Sequence, residues 1–278
     1  MRGVTQKWTL GRIAIALTLG AGAVVMLLPL YWMLISSFKE QTELLRMPPT
    51  LFPETIVLSN YAEVLDAMPF GRYYINSLAT AVINTLVGVM TSALVGYVFA
   101  KYTFKGKEIL FWAVIACMMI PYETLLIPLY RSMVKLGWIN SYAVLTVPYF
   151  VNIFGVFMMR QFLSGISQDY VDAAEIDGCG QYQTFFRVIF PMIRPASATL
   201  CIFLFMGSYN SFLWPLISVN TRSLFTLPIG LAALQSDRGR QMNLIMAASS
   251  MVVVPVMVLF VFAQKQIVSG LTVGGLKG

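Results

Sequence analysis

Six runs of apolar residues, at about 13–36, 77–100, 109–130, 142–162, 196–217 and 244–263, alternate with polar stretches along this chain. Each run is near the roughly 20 residues that a helix needs to cross the hydrocarbon of a bilayer. The pattern predicts an all-α polytopic membrane protein in which residues 1–278 form one transmembrane domain of six helices. The first run is longer than a signal-peptide core. It ends in Ser36-Ser37-Phe38-Lys39 without an A-x-A-like cleavage site, so it is expected to remain as the first span. Six crossings place both termini on one side of the membrane.

The polar stretches carry their own structure. Residues 39–73 hold Glu40, Glu43, Glu54, Glu63 and Asp66, while Pro48, Pro49 and Pro53 break any continuous helix. An ordered loop with a short helix near 60–67 is expected there. The stretch from Tyr170 to Pro195 lies between two apolar runs yet contains Asp172, Glu175, Asp177, Arg187 and Arg194, so it must stand outside the hydrocarbon. Asp169 is expected to cap a short helix over 170–177, and Gly178 to end it in the left-handed conformation. A second amphipathic helix is expected over 182–190, stopping at Pro191. The segment 163–195 thus reads as a helical hairpin at the membrane surface. Of the 19 Lys and Arg residues, 11 fall on the side of this hairpin and of both termini, which makes that side cytoplasmic.

With 58% hydrophobic and only 11% charged residues and a mean hydropathy of +0.75, the chain cannot present an ordinary polar surface to water. Membrane lipid is therefore one of its partners. The net charge of +7 is scattered between apolar runs rather than gathered on one face, so it sets topology and does not indicate a nucleic-acid partner. Cys117 and Cys201 sit in apolar runs and Cys179 in the hairpin, a spacing that suggests neither a disulfide nor a metal site. The absence of histidine removes His-based catalysis and His-ligated metals. No paired carboxylates and no nucleophile-plus-base set occur in the spans, so an enzyme is not expected.

Within the spans, Pro121 and Pro128 bracket Glu123 and should bend the third helix. Glu123 could be a proton-coupling carboxylate, or it could stand at the outer mouth with Arg131 or Lys135 nearby. Asn76, Asn84, Asn152, Tyr209, Asn210 and Trp214 could line a polar path, since an amide beside an aromatic face suits a sugar's hydroxyls and apolar ring face. They could equally hydrogen-bond helix to helix, as polar side chains do in membrane bundles. Residues 218–241, with Leu227-Pro228-Ile229-Gly230-Leu231 at the centre, are expected to form a polar external loop longer than a plain connection requires.

The spacing Asp172-Ala173-Ala174, Asp177-Gly178, Phe185 or Phe186, Pro191 and Pro195 resembles the EAA loop of bacterial ABC importer permeases of the carbohydrate-uptake, MalG-like branch. Asn76-Ser77-Leu78, the third-run prolines and the ending Gly270-Leu271-Thr272-Val273-Gly274-Gly275-Leu276-Lys277-Gly278 are similar to that branch as well. Asp172 stands where the family pattern usually has Glu. The resemblance implies a type I importer architecture in the bacterial inner membrane. It also implies that Asp172, Ala173, Ala174, Glu175, Asp177 and Gly178 couple the chain to an ATPase. Gly274, Gly275 and Lys277 would approach that ATPase, and Leu227, Pro228 and Gly230 would meet an extracytoplasmic sugar-binding protein. Its implied partners are a second, MalF-like permease subunit, a dimer of ABC ATPase subunits and that binding protein. No G-x-x-x-x-G-K-[ST] occurs here, so ATP and Mg²⁺ would belong to the partners, with no cofactor in this chain. A proton-coupled secondary transporter using Glu123, or an importer of glycerol phosphate or another non-sugar solute, are the alternatives.

Overall fold

A computed structural model describes residues 10–239 and 241–275, and all the regular structure among them is helical. In chain order the α-helices are α1 (Leu10–Ser36), α2 (Gln41–Leu44), α3 (Ser59–Ala67), α4 (Phe70–Lys101), α5 (Lys107–Met118), α6 (Tyr122–Lys135), α7 (Tyr142–Thr146) and α8 (Ile153–Ser164). There follow α9 (Asp169–Ile176), α10 (Gln181–Gln183), α11 (Phe190–Met192), α12 (Arg194–Tyr209), α13 (Leu213–Ser218), α14 (Leu227–Arg238) and α15 (Met242–Gly275). The chain packs as two compact units. One is Met1–Met68 with Leu231–Val254, the other Pro69–Gly230 with Pro255–Gly278.

In the first unit the loop after α1 is ordered by buried charge. Lys39 is 1% exposed; its Nζ stands 4.0 Å from Glu43 Oε1 and 4.8 Å from the centre of the Trp32 ring. It donates to the Thr50 carbonyl and, at 2.9 Å, to Thr50 Oγ1. Glu43 in turn accepts from Thr50 Oγ1 at 2.5 Å and from the Glu54 backbone N–H at 3.2 Å. Both charges are thus surrounded by hydrogen-bonding partners, the condition under which a charge can leave water. Asn60 of α3 donates to the carbonyls of Ser37 and Lys39 and accepts from Asn243 Nδ2, which fastens the loop to the start of α15.

The second unit is built on α4, an uninterrupted helix of 32 residues. Its neighbours are broken. The third apolar run is not one bent helix but two, α5 and α6, at 101° to each other across Met119–Pro121. Pro121 lacks the N–H that would continue α5, and it pushes Ile120 away from helical geometry. The fourth run is α7, a 3₁₀ turn over Val147–Tyr149 containing Pro148, an irregular stretch to Asn152, and α8. The fifth run stops at Tyr209 and resumes at Leu213. Residues 218–241 form mostly helix rather than a polar loop, with a 3₁₀ turn at Arg222–Leu224 followed by α14.

A core packs along α4, where Val89, Ala93 and Tyr97 meet Met159 and Leu163 of α8 and Leu200 of α12, while Leu126, Met133, Val144, Leu145, Trp214 and Val219 make a separate cluster from α6, α7, α13 and the residue after it. The first core depends on small residues. Gly88, Ser92 and Gly96 recur every fourth position on α4, one above another on a single face, and Gly155 of α8 lies against Ser92. A Cβ on Gly96 would stand 2.7 Å from Met159 Cβ and 2.9 Å from the Arg160 backbone nitrogen. Such stripes let membrane helices come into close van der Waals contact where no hydrophobic force draws them together.

Because the atoms facing Gly96 are backbone and Cβ, they cannot rotate away. Gly96→Ala is expected to cost about 1–3 kcal/mol through overpacking and to lower the thermal unfolding temperature of the detergent-solubilised protein. Gly71→Ala, where a Cβ meets open space, is the matched control and should leave that temperature within the scatter of neutral surface changes.

Candidate functional site: the hairpin between α8 and α12

Helix α9 begins one residue earlier than expected. Asp169 is its first residue rather than its cap, Gln168 stands at the cap position with no side-chain capping bond, and Ser167 Oγ donates to Asp169 Oδ2 at 2.7 Å. Asp169 and Asp172 place two carboxylates in the first turn, where they oppose the positive end of the helix dipole. The other end follows the expectation. Gly178 has φ +77°, Gly178 N–H donates to Glu175 O at 3.0 Å and Cys179 N–H to Ala174 O at 2.9 Å, the paired bonds of a Schellman stop.

The two faces of α9 differ. Val171 and Ala174 are buried, and Val171 packs with Tyr97, Phe185, Ile189 and Ile193. Asp172, Ala173, Glu175 and Asp177 are exposed, and Ile176 is 86% exposed. Of the alanine pair, Ala174 is therefore the packing residue and Ala173 belongs to the outer face. The second arm does not stop at Pro191 but runs on from Gln181 to Met192, turning by 81° into α12. Thr184–Ile189 is a π-helical segment. Bonding shifted by one residue accommodates a proline that has no N–H to give the preceding turn. The same segment turns Phe185 and Ile189 inward. The Phe185 ring lies 5.3 Å from that of Tyr97 on α4, while Lys101, at the end of α4, donates from Nζ to the Ile166 carbonyl. The hairpin is thereby fixed to the spine and shows acids together with Ile176, Tyr182 and Phe186 to the outside. A fixed helix with an outer face mixing apolar and acidic side chains has the make-up of a protein-docking surface.

The expected polar path fares differently. Asn76 Nδ2 donates to the carbonyls of Ser223 and Phe225, both at 2.9 Å, and its Oδ1 accepts from Tyr142 Oη at 2.7 Å. Asn84 Nδ2 donates to Leu145 O at 3.0 Å and Ser208 Oγ at 2.9 Å. Asn152 caps α8 by accepting from Gly155 N–H. Trp214 Nε1 donates to Val144 O at 2.8 Å, and the ring is buried, as is Tyr209. Asn76, Asn84 and Trp214 thus bond to the backbone of other elements, Asn152 caps its own helix, and Asn210 alone of the six is exposed. Leu227 and Gly230 are likewise turned inward, with Gly230 against the Tyr73 ring, so within that segment they do not offer a free surface to a binding protein. Glu123 is exposed, and the ion pairs found among the described residues, Lys39–Glu43, Arg46–Glu54 and Arg160–Glu108, do not include it. Gly274 and Gly275 fall within α15 rather than in a frayed tail, and Lys277 lies outside the described residues.

Residues 88–269, from the middle of α4 through the hairpin and into α15, match the family described as "Binding-protein-dependent transport system inner membrane component". The chain belongs to that family. It is 37% identical over 259 residues to the arabinooligosaccharides transport system permease protein AraQ of Halalkalibacterium halodurans, covering 92% of this chain and 93% of that one. AraQ of Bacillus subtilis is 35% identical over 277 residues, 99% of each. A crystal structure of a bacterial ABC transporter that imports the acidic polysaccharide alginate contains a chain of the same fold, with TM-score 0.83 and 21% identity over 94% of this chain and 99% of that one. The family assignment makes this a multi-pass inner-membrane transport protein, and the hairpin and its α4 anchor lie inside the matched region.

Sequence reasoning missed the supports of the hairpin. Tyr97 and the Gly88-x₃-Ser92-x₃-Gly96 stripe carry no charge or catalytic chemistry, although the four-residue repeat of small side chains was there to be read.

The bond from Trp214 is also testable. Val144 O lies four residues before Pro148, which has no N–H to give it, and the indole takes that donor's place. Trp214→Phe is expected to cost about 1–3 kcal/mol by orphaning the carbonyl. In a Pro148→Ala background, where a backbone donor is restored, the drop in unfolding temperature on Trp214→Phe should shrink, and a double-mutant cycle measures the difference.

Proposed function

We propose that this chain is one membrane subunit of an ATP-driven importer of oligosaccharides, taking its solute from an extracytoplasmic binding protein. The observation that carries the reading is the hairpin. Its helix α9 is stopped by Gly178, pinned to the α4 core by Val171, and turns Asp172, Ala173, Glu175 and Asp177 outward. Family membership and the names of the relatives support transport of a sugar oligomer. ATP and Mg²⁺ belong to a dimer of ATPase subunits that seats the outer face of α9, and a second permease subunit completes the membrane part. The hairpin and both termini are cytoplasmic, in keeping with the excess of Lys and Arg on that side.

Coupling in this reading is geometric. Closure of the ATPase dimer moves α9, and because α9 is fixed to α4 and α8 the movement reaches the spans as a rigid-body change between two states. A ligand or partner shifts such an equilibrium only by its differential interaction with the two states, so what matters is that the docked helix holds its shape.

Gly178→Val forces a β-branched residue into left-handed backbone, at about 1–3 kcal/mol of local strain. The expected outcome in reconstituted vesicles is a complex that still binds its sugar-loaded binding protein but has lost the ATP hydrolysis that this protein stimulates. Full stimulated hydrolysis would reject the coupling role. Uptake that survives collapse of the proton gradient and stops without ATP separates the importer from a proton-coupled carrier.

A further inference from the structure

Three of the helices flanking α4 break at comparable depth. Counted from the ends that share a side with the hairpin, α5 and α8 have 12 residues each and α12 has 16. At 1.5 Å per residue the breaks lie about 18 to 24 Å along the helix axes, within a hydrocarbon layer of about 30 Å. Backbone that is not helical is tolerated at that depth only where protein buries it or water lines it.

Side chains at the breaks meet. Tyr149 Oη, from the 3₁₀ turn before α8, is 2.9 Å from Ser211 Oγ in the break between α12 and α13. Tyr122 stands just after the α5–α6 break. Beside Ser211, Asn210 is exposed and its side-chain amide makes no hydrogen bond among the described residues, and Phe212 is exposed next to it. An amide facing lipid with no partner would lose its hydration with nothing in return. The residues around the breaks, 119–122, 147–152 and 208–213, include no Lys or Arg.

We propose that this layer of breaks is a water-lined contact site for a neutral carbohydrate, with Asn210, Tyr149 and Ser211 meeting sugar hydroxyls and Phe212 or Tyr122 meeting a ring face. Hydroxyls and an amide supply both donors and acceptors, and an exposed aromatic supplies the apolar face that a pyranose or furanose ring presents. The layer lacks the guanidinium or ammonium groups that an anionic cargo would need. The site replaces Asn76, Asn84, Asn152 and Trp214, which are turned into the protein and bond to backbone there. It rests on the importer reading and adds to it that this subunit itself touches the solute.

The test uses the complete complex in proteoliposomes. Arabinotriose, maltose and raffinose are first offered to the unsubstituted complex, and the sugar taken up fastest serves as the probe; failure to take up any of them with ATP counts against the importer reading itself, before any variant is made. In a chain with Cys117, Cys179 and Cys201 replaced by serine, Asn210→Cys should react with the charged, water-borne thiol reagent MTSES at least tenfold faster than Leu86→Cys, in the nucleotide-free or the ATP-bound state. Equal rates in both states would overturn the water-lined site. Tyr149→Phe, which removes one hydroxyl, should lower sugar taken up per ATP hydrolysed by about threefold or more while binding-protein-stimulated hydrolysis stays within twofold. An unchanged ratio, or parallel loss of uptake and hydrolysis, would overturn the sugar contact.

Discussion

A helix broken inside a bilayer leaves carbonyls and N–H groups with nowhere to turn, and the second unit of this protein is organised around answering them. Its 32-residue helix α4 does most of that work. Asn76 serves the Ser223 and Phe225 carbonyls, Ser77 Oγ accepts the Leu227 N–H at 2.7 Å, Asn84 serves Leu145, and Thr91 donates to Phe150 O at 2.5 Å. Each of those backbone groups lies at or beside an interruption in a neighbouring element. In hydrocarbon an unanswered backbone group costs several kcal/mol, far more than the net worth of a hydrogen bond made in exchange for water. These side chains are therefore conditions for the breaks to exist at all.

The same helix changes character along its length. Its first half is polar and reads the irregular backbone of α7, the 3₁₀ turn after it, and the segment before α14. Its second half is a stripe of Gly88, Ser92 and Gly96 pressed on α8, followed by Tyr97 and Lys101 at the hairpin. Close packing of this kind is stiff, because displacement sacrifices many small dispersion contacts at once. Arg160 adds to it from α8, with its guanidinium 3.6 Å from the centre of the Phe111 ring and 3.5 Å from Glu108. The hairpin is thus attached to the stiffer half, which is where a lever has to be attached if it is to move spans rather than bend.

The sequence made some of this legible and hid the rest, for reasons that particular residues illustrate. Charges inside an apolar pattern located the hairpin, and Gly178 located its turn, because both follow from local rules about solvation and backbone conformation. The spans were legible as apolar runs, but their interruptions were not all so. Pro121 signalled the α5–α6 break, whereas nothing local at Asn210 and Ser211 distinguishes a break from a polar pair tolerated within a helix. Pro191 misled in the opposite direction, since a π segment carried the helix past it. The amides and the indole chosen as a path were chosen by chemistry alone. Chemistry could not say that Trp214 answers a carbonyl seventy residues away, because that pairing is a property of the tertiary arrangement.

The partners of Asn76 and Trp214 bear on where a solute can be touched in such a bundle. Polar side chains are scarce in the spans, and the first claim on them is made by backbone that the breaks have left open. Asn76 and Trp214 meet that claim and are buried by it, so they are unavailable to anything passing through. Asn210, by contrast, is exposed on a break, where the chain has already left helical geometry and water or protein must be present for it to persist. Interruption of a helix then has two consequences that cannot be separated. It consumes the polar residues of its neighbours, and it creates, at its own edge, the exposed polar surface on which a hydroxyl-rich solute can briefly rest.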